Sequence, residues 1–272
     1  MFSARPRLTD EKRMKDMKRT LLTFTLAVSF LFGLSSCSGF ISGDDYSLQS
    51  YNALVTVKHT ESGTVYFQLD DKTTLKPYGM SETAFGKEQF RALIGYTERN
   101  EKPAATSDGV QIDKSVNVHH FAKVLTKAIA ESQGEKDDEL YGTAPVEIVK
   151  SWATIIEDGY ITLVFCGYWG NLYATHKINL VSGVDSEDPY LLELRHDANG
   201  DDLKYGMVRY NSIAAFDLSS LPDTEGKTIK LKIRFTSFTG EKTVSFDYCT
   251  GKTSLPDVKA SDVSLSELAD VI

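Results

Sequence analysis

A cysteine at position 37 carries the most specific chemistry in this sequence. It directly follows Leu34-Ser35-Ser36, and upstream of these residues stand Lys18-Arg19 and an apolar run from Leu21 to Leu34. A basic start, a short apolar segment and small residues before the cut are typical of a secretory signal. A cysteine right after the small residues is typical of a bacterial lipoprotein signal, in which the thiol is diacylated, the chain is cut before it, and the new amine receives a fatty acid such as palmitate. The sequence therefore predicts lipidation at Cys37.

The length of the apolar run argues against a membrane-spanning helix. It has 14 residues, whereas a helix that crosses a bilayer needs about 20. Two alternatives remain open: an ordinary secretory signal followed by a chance cysteine, and a short anchor helix that is left uncut. We predict a signal peptide over 1–36, with the true start near Met17, and a lipidated tether over 37–50. Because several acyl chains hold a bilayer far more firmly than one, we expect a lipid-anchored protein of the cell envelope, in the outer membrane.

The mature chain is acidic. The full sequence has 30 Lys and Arg and 38 Asp and Glu, and residues 1–36 contain seven and three of these. The remaining 23 basic and 35 acidic residues give a net charge of −12. Nucleic-acid binding depends on a basic surface, so we expect no nucleic-acid partner. The 236 residues from Cys37 onward suffice for two ordinary domains or one large one.

Short motifs that resemble phosphate or metal sites fail on spacing. Gly251-Lys252-Thr253 has the end of a phosphate-binding loop, but the required glycine five positions earlier is Phe246. His119 and His120 are neighbours on a predicted strand, where successive side chains point to opposite faces and cannot share an ion. The sequence has no Gly-x-Ser-x-Gly elbow and no His-Glu-x-x-His motif. We therefore predict no catalytic residues, no metal and no cofactor.

The acidic stretch from Asp197 to Asp202 invites a comparison with calcium loops. In an EF-hand loop, glycine belongs at the sixth position and glutamate at the twelfth. Here glycine is fourth and the twelfth residue is Val208. We therefore predict an Asn199-Gly200 turn between strands, and a weak calcium site of another type stays open as the alternative.

The first half of the mature chain has the alternation typical of β-strands. Apolar and polar residues alternate from Val55 to Lys58 and from Val65 to Leu69, Phe90–Tyr96 is a further strand, and Val116 and Val118 alternate again. The spacing shifts towards a helical one between Phe121 and Ile129. A charged break at 133–138 marks the best domain boundary. Five or so short strands suit a small closed barrel such as the OB fold, which we predict over 51–138.

The second half contains two apparent hairpins. Around Gly170-Asn171, outward counting pairs four sets of residues: Ile161 with Leu180, Leu163 with Ile178, Phe165 with His176, and Trp169 with Leu172. Since His176 is the single polar member of this face, we interpret it as a hydrogen-bonded core histidine, and His196 has no evident partner. Around Thr239-Gly240, Phe235 meets Val244, Ile233 meets Phe246, and Leu231 meets Tyr248.

These hairpins, with strands at 190–195 and 212–218, predict an antiparallel β-sandwich over 139–250. The fold class is therefore all-β, an OB-like barrel followed by a sandwich. Cys166 and Cys249 lie on the polar faces of their hairpins, so a disulfide between them is disfavoured. The tail over 251–272 includes a short predicted helix from Ser264 to Ile272.

Several of these segments together resemble a NigD-like lipoprotein. Besides the lipidation signal, the resemblance rests on a strand-rich first half ending in Val124-Leu125-Thr126-Lys127 and on Trp152, Gly159-Tyr160, His176–Leu180, Leu192–His196, Phe216-Asp217-Leu218 and Phe246-Asp247-Tyr248. The resemblance covers roughly residues 37–250. It implies an N-terminal OB-like domain and a C-terminal β-sandwich. It brings no catalytic residues and no cofactor.

A cluster of aromatic residues is the candidate ligand site. Tyr168, Trp169 and Tyr173 surround the Gly170-Asn171 tip, and flat rings stack on sugars or anchor protein partners. The alternative is that the tyrosines stabilise the hairpin and that Trp169 caps the core. Three hypotheses follow: a non-enzymatic binding module that recognises an envelope glycan or protein, a structural or accessory subunit of an envelope complex, and, third, a hydrolase.

Overall fold

The computed structural model describes residues 48–78, 80, 86, 88–101, 103, 105–171, 174–201 and 208–256, with the side chains of Gln49 and Val208 excepted. The predicted lipidation site Cys37, the candidate ligand residue Tyr173 and the helix predicted over 264–272 lie outside these residues. Within the described part, no helix is long and apolar enough to cross a membrane.

The N-terminal strands close into a five-stranded barrel in the order β1-β2-β3-β5-β4. Its strands are β1 (Ala53–His59), β2 (Val65–Gln68), β3 (Thr74–Tyr78), β4 (Phe90–Glu98) and β5 (Lys114–Lys123). Alternate residues of these strands point inward, so Val55, Val57, Phe67 and Leu75 are fully buried in the barrel core. The predicted OB-like barrel is confirmed.

The later strands form a sandwich of two five-stranded sheets. The first sheet has the order β6-β13-β10-β8, with β9 also paired to β10, and the second has the order β15-β14-β12-β11-β7. The strands are β6 (Leu125–Ala128), β7 (Ala130–Glu131), β8 (Glu147–Val149), β9 (Ile155–Glu157), β10 (Tyr160–Trp169), β11 (Lys177–Ser182), β12 (Leu191–Asp197), β13 (Val208–Asp217), β14 (Ile229–Ser237) and β15 (Gly240–Tyr248). A short helix, α1 (Asp137–Tyr141), connects β7 to β8.

The sandwich is confirmed, with two differences from the expectation. Three of its strand pairs are parallel rather than antiparallel, namely β6 with β13, β7 with β11, and β12 with β14. The sandwich sheets also begin before the predicted boundary at residue 138, because β6 and β7 pair with sandwich strands. The segment with helical spacing between Phe121 and Ile129 is therefore strand, since tertiary pairing overrides a weak local periodicity.

The first predicted hairpin is wrong. β10 pairs along its whole length with β13, so Phe165 lies opposite Ser212, and β11 lies in the other sheet beside β12. The chain crosses from one sheet to the other after Gly170. The face assignments nevertheless hold, because Ile161, Leu163, Phe165, Ile178 and Leu180 all belong to the one core between the sheets.

The second predicted hairpin exists with a shifted register. β14 and β15 pair with Ile233 opposite Val244 and Leu231 opposite Phe246, so the two-residue turn is Phe238-Thr239 rather than Thr239-Gly240. The shift is two residues, and a two-residue shift leaves every side chain on its predicted face. Ile233 and Phe246 are both fully buried.

The barrel and the sandwich share a buried joint. Val164 and Ala215 of the first sheet pack with Leu54 and Leu93 of the barrel in one apolar cluster. The face of β10 that carries Val164 also carries Thr162 and Cys166, and we expected it to be wet. All three residues are buried, because this face of the sheet is covered.

Candidate functional site

The cross-over after β10 brings four separated residues into one cluster, called here the histidine cluster: Trp169, His176, His196 and Asp201. The Trp169 indole stacks on the His176 ring with centroids 4.4 Å apart. His176 Nδ1 lies 2.8 Å from His196 Nε2, and His176 Nε2 lies 2.9 Å from Asp201 Oδ2. Gly167 makes room for this arrangement, since a Cβ atom there would stand 2.8 Å from the indole.

Asp201 is placed by the turn predicted from the sequence. Asn199 and Gly200 both have positive φ, 50° and 73°, as a tight Asn-Gly turn requires. The Asp201 carboxylate then accepts the backbone N–H groups of Gly170 and Asn171 at 2.9 and 3.2 Å. The Asn-Gly turn is confirmed. Asp201, the next residue, stabilises the first residues of the cross-over through these two hydrogen bonds.

If His196 is neutral, as its lowered pKa indicates, one arrangement of protons satisfies every contact in the cluster. His196 Nδ1 lies 3.3 Å from the carbonyl oxygen of Pro145, so it carries a proton. A neutral His196 then accepts through Nε2, which requires His176 to donate through Nδ1. Since His176 also donates to the Asp201 carboxylate through Nε2, it is an imidazolium paired with a carboxylate.

The environment of the cluster shifts the pKa values of its members. Burial, together with a smaller contribution from the neighbouring His176, lowers the pKa of His196 from 6.5 to about 4. Burial works against ionisation of Asp201, but the hydrogen bonds from His176, Asn171 and Gly170 outweigh it and lower the pKa of that carboxyl. Both shifts agree with a neutral His196 and an ionised Asp201.

The histidine cluster is sealed from solvent. The side chains of His176 and Asp201 are each 3% exposed, and Trp169 is 2% exposed. Trp169 therefore has the core position that was the alternative to a ligand contact. His176 is the hydrogen-bonded core histidine expected from the sequence, whereas His196 has partners that the sequence did not reveal.

Tyr168 stands apart from the cluster on the opposite face of β10. Its ring makes an edge contact with Phe238, with centroids 4.7 Å apart and planes at 76°. Phe238 is 39% exposed at the β14–β15 turn, and Tyr168 is partly exposed. We call these two residues the aromatic pair. Sequence reasoning missed Phe238 because it comes from a different sheet; the exposed aromatic residue in the Phe238-Thr239 turn was the signal.

Charged groups flank the aromatic pair. Glu147 of β8 accepts the backbone N–H of Phe238 at 3.2 Å and forms a salt bridge with Lys242 at 3.1 Å. These contacts tie the β14–β15 turn to the end of β8. The arrangement provides two aromatic surfaces beside a carboxylate and an ammonium group.

A cleft of about 270 Å³ lies on the outer face of the second sheet. Its side wall contains Arg195 and Arg234, both bound to the Glu193 carboxylate between them. Arg195 also contacts Asp138 of α1 at 2.6 Å. Both guanidinium groups are thus engaged by carboxylates of the same chain.

Residues with metal-binding or redox potential are spread through the described part of the chain. That part contains no group of three His, Cys, Asp or Glu side chains placed to hold a metal ion. His119 contacts Thr97 on the barrel surface. Cys166 and Cys249 are free and buried, and burial raises the pKa of the Cys166 thiol despite the nearby Arg209.

Comparisons with solved structures find similar proteins from Parabacteroides and Bacteroides species. A protein from Parabacteroides distasonis ATCC 8503 named as toxin-related is 32% identical, with TM-score 0.61, and the match covers 73% of this chain and 92% of that one. A protein of unknown function from Bacteroides vulgatus ATCC 8482 is 22% identical, with TM-score 0.53, coverage 72% and 89%. A NigD-like immunity protein from Bacteroides caccae ATCC 43185 is 18% identical, with TM-score 0.49, coverage 79% and 95%. No match was found among curated proteins.

Two family models together match more than half of the chain. The NigD-like N-terminal OB domain matches residues 54–118, which contain the barrel strands up to the middle of β5. The NigD-like C-terminal beta sandwich domain matches residues 128–248, which end with β15. The chain belongs to the NigD-like family.

Proposed function

We propose that this protein is a lipid-anchored envelope protein that binds a carbohydrate, without catalysis, through the aromatic pair Tyr168 and Phe238. The anchor is the acylated Cys37, as its signal indicates, and the membrane in question is the outer membrane. The observation that carries the binding proposal is the contact between two partly exposed rings from different sheets at one end of the sandwich.

The chemistry of this surface fits a sugar. An aromatic ring offers a flat apolar face to the C–H side of a pyranose, and polar groups at its edge hydrogen-bond to hydroxyls. Lys242, which is held near Phe238 by the buried Glu147, supplies such a polar group. The cleft on the second sheet fits less well, because the aromatic rings among its lining residues, those of Phe235 and His196, are buried.

The accessibility of the reactive groups supports binding rather than hydrolysis. A hydrolase needs an acid or base that reaches its substrate within hydrogen-bond distance. The histidine cluster contains an acid–base pair, His176 and Asp201, but both side chains are 3% exposed. Asp201 stabilises the cross-over through its hydrogen bonds to Gly170 and Asn171, whereas the burial of both side chains keeps a substrate from contacting them.

The test is a binding measurement with matched substitutions. Purified wild type and the Tyr168→Ala/Phe238→Ala variant are assayed on an array of envelope glycans. Because exposed aromatic anchors dominate binding energies, we expect the double variant to bind at least about tenfold more weakly. Tyr78→Ala is the control, since Tyr78 on the barrel is also 39% exposed.

Three outcomes separate the hypotheses. Lost glycan binding in a folded double variant, with normal binding by Tyr78→Ala, supports the proposal. Unchanged binding with a lowered melting temperature reduces the aromatic pair to a packing contact. A stable heteromer from detergent-solubilised envelope, without glycan affinity, favours the accessory-subunit hypothesis.

A further inference from the structure

Arg209 of β13 lies beside Tyr168 of the aromatic pair. The two residues are directly opposite each other in the antiparallel pairing of β10 with β13. Opposite residues of such a pair point to the same face of the sheet, with their Cβ atoms about 5 Å apart. Both side chains are partly exposed. A guanidinium group therefore borders the aromatic pair.

The position of Arg209 is fixed by a buried cysteine. Its Nε–H donates to Sγ of Cys166 at 2.7 Å, and Cys166 is fully buried. Burial raises the pKa of the Cys166 thiol, so the sulfur is neutral and does not compensate the charge of the guanidinium group. An arginine that is bound through Nε keeps the four N–H groups of its two terminal nitrogens for another acceptor.

Arg209 differs in its partners from the other arginines that the structure describes. Each of those four binds a carboxylate of the same chain, namely Arg91, Arg99, Arg195 and Arg234. Among the described residues, Arg209 binds the neutral thiol and no carboxylate. Carboxylates are abundant in a mature chain with a net charge of −12, so an arginine without one is the exception here.

The carboxylate of the adjacent strand is already engaged. Glu147 of β8 lies opposite Cys166, on the side of β10 away from β13. Its carboxylate accepts hydrogen bonds from Lys242 and from the backbone N–H of Phe238, and the charges of Glu147 and Lys242 offset each other. Of the three charged groups, Arg209 is thus the one without a charged partner in the described chain.

We propose that the carbohydrate bound by the aromatic pair is acidic, and that Arg209 binds the carboxylate of a uronic acid unit whose ring stacks on Tyr168. A guanidinium group matches a carboxylate in a planar pair of hydrogen bonds. The edge contact of Tyr168 with Phe238, with planes at 76°, does not cover both faces of the Tyr168 ring. The inference rests on the proposed function, since it takes the aromatic pair as the surface that binds the sugar.

A polymer whose charge can be masked tests this inference on the unchanged protein. Polygalacturonate and its methyl-esterified form have the same sugar ring and linkage, but the ester lacks the carboxylate. By titration calorimetry, we expect the wild type to bind the acid form at least about tenfold more tightly, because a charge-assisted pair of hydrogen bonds is lost in the ester. Dextran sulfate, a polyanion without carboxylates, should bind as weakly as the ester.

Substitutions of Arg209 assign the effect to this side chain. Arg209→Gln should bind the acid form as weakly as the wild type binds the ester, and Arg209→Lys, which keeps the charge without the planar fork, should recover part of the affinity. Lys227→Gln is the matched control, because it removes one positive charge from a side chain that is 77% exposed, next to the end of β14 that lies away from Phe238. It should bind like the wild type, and melting temperatures check the fold of each variant.

The remaining outcomes overturn the inference and separate it from the proposed function. Equal binding of acid and ester, both lost in Tyr168→Ala/Phe238→Ala, leaves the proposed function standing and shows that Arg209 does not bind the ligand. Binding of the acid form that needs Arg209 but not the aromatic pair contradicts both. Dextran sulfate bound as tightly as polygalacturonate shows a general attraction of anions. No binding of the acid form overturns the inference, whatever neutral glycans the array detects.

Discussion

A neutral histidine beside a charged one holds the cross-over between the sheets. His196 keeps its proton on Nδ1 because the Pro145 carbonyl faces that atom, and His176 carries the charge because Asp201 faces it. The partners of His176 lie 20 and 25 residues away in sequence. The apolar pattern around His176 showed that it is buried, but no local pattern names a partner at that distance.

Acid should weaken the fold through His196. Its pKa is lowered from 6.5 to about 4 in the folded protein, so below pH 6.5 the unfolded chain binds a proton that the native chain does not. Stability therefore falls as the pH falls from about 7 towards 4, and we expect this group to contribute a loss of about 3 kcal/mol over that range. Urea titrations at a series of pH values measure the loss.

Two variants isolate the contribution of His196. His196→Gln removes the titrating group and should flatten this part of the pH dependence, even if it lowers stability at pH 7. His119→Gln changes an exposed histidine of the barrel and should leave the slope as in wild type. A wild-type stability that does not change between pH 7 and 4 contradicts the assignment.

At the scale of strands, the two apparent hairpins show what alternation determines. The β14–β15 hairpin was found with the correct faces and a two-residue shift, because the period of two assigns faces and the turn alone assigns register. The β10–β11 hairpin does not exist. Gly170-Asn171 has the residue types of a two-residue turn. Its two backbone N–H groups, however, donate to the Asp201 carboxylate, and the next strand, β11, lies in the other sheet.

The candidate site was predictable to a similar extent. The sequence indicates Tyr168 as a candidate because it lies beside a predicted hairpin tip, and the structure leaves it partly exposed. It indicates Trp169 for the same reason, but Trp169 is buried in the core, on the face of β10 that packs against the second sheet. Phe238 was missed because its contact with Tyr168 depends on how two sheets are stacked, which periodicity does not encode.

The core position of β14 is tested by one truncation. Ile233 is fully buried between the sheets, so Ile233→Ala should lower the free energy of unfolding by about 2–5 kcal/mol, the usual result of a core cavity. Lys232→Ala is the matched control on the solvent face, where the salt bridge of Lys232 with Asp188 is exposed; its effect should be about 1 kcal/mol or less. A loss below about half a kcal/mol in Ile233→Ala would show that the face assignment is wrong.

At the scale of the whole molecule, a buried ion pair joins the barrel to the sandwich. Arg91 of β4 is fully buried, and its guanidinium contacts Glu157 of β9 at 2.6 Å and Thr56 of β1 at 2.8 Å. Burial raises the pKa of Glu157 although Arg91 opposes the shift. The desolvation of the pair is therefore substantial, and its main effect is to fix the geometry of the joint.

Removal of one partner of this pair should be far more harmful than removal of both. Arg91→Leu leaves a buried carboxylate without its cation, and we expect a loss of about 3–5 kcal/mol in the free energy of unfolding. Arg91→Leu with Glu157→Leu should recover most of that loss, as measured by urea denaturation. A double variant as unstable as the sum of both single variants would contradict this account of the joint.

The proposed function depends most on one claim: acylated Cys37 anchors the protein to a membrane. Metabolic labelling with a fatty-acid analogue in a bacterial host tests it directly, with Cys37→Ala as the comparison. We predict that the wild type is labelled and sediments with the envelope, whereas Cys37→Ala is unlabelled and either keeps its leader or leaves the membrane. Equal labelling of the two proteins, or none in either, would contradict the account.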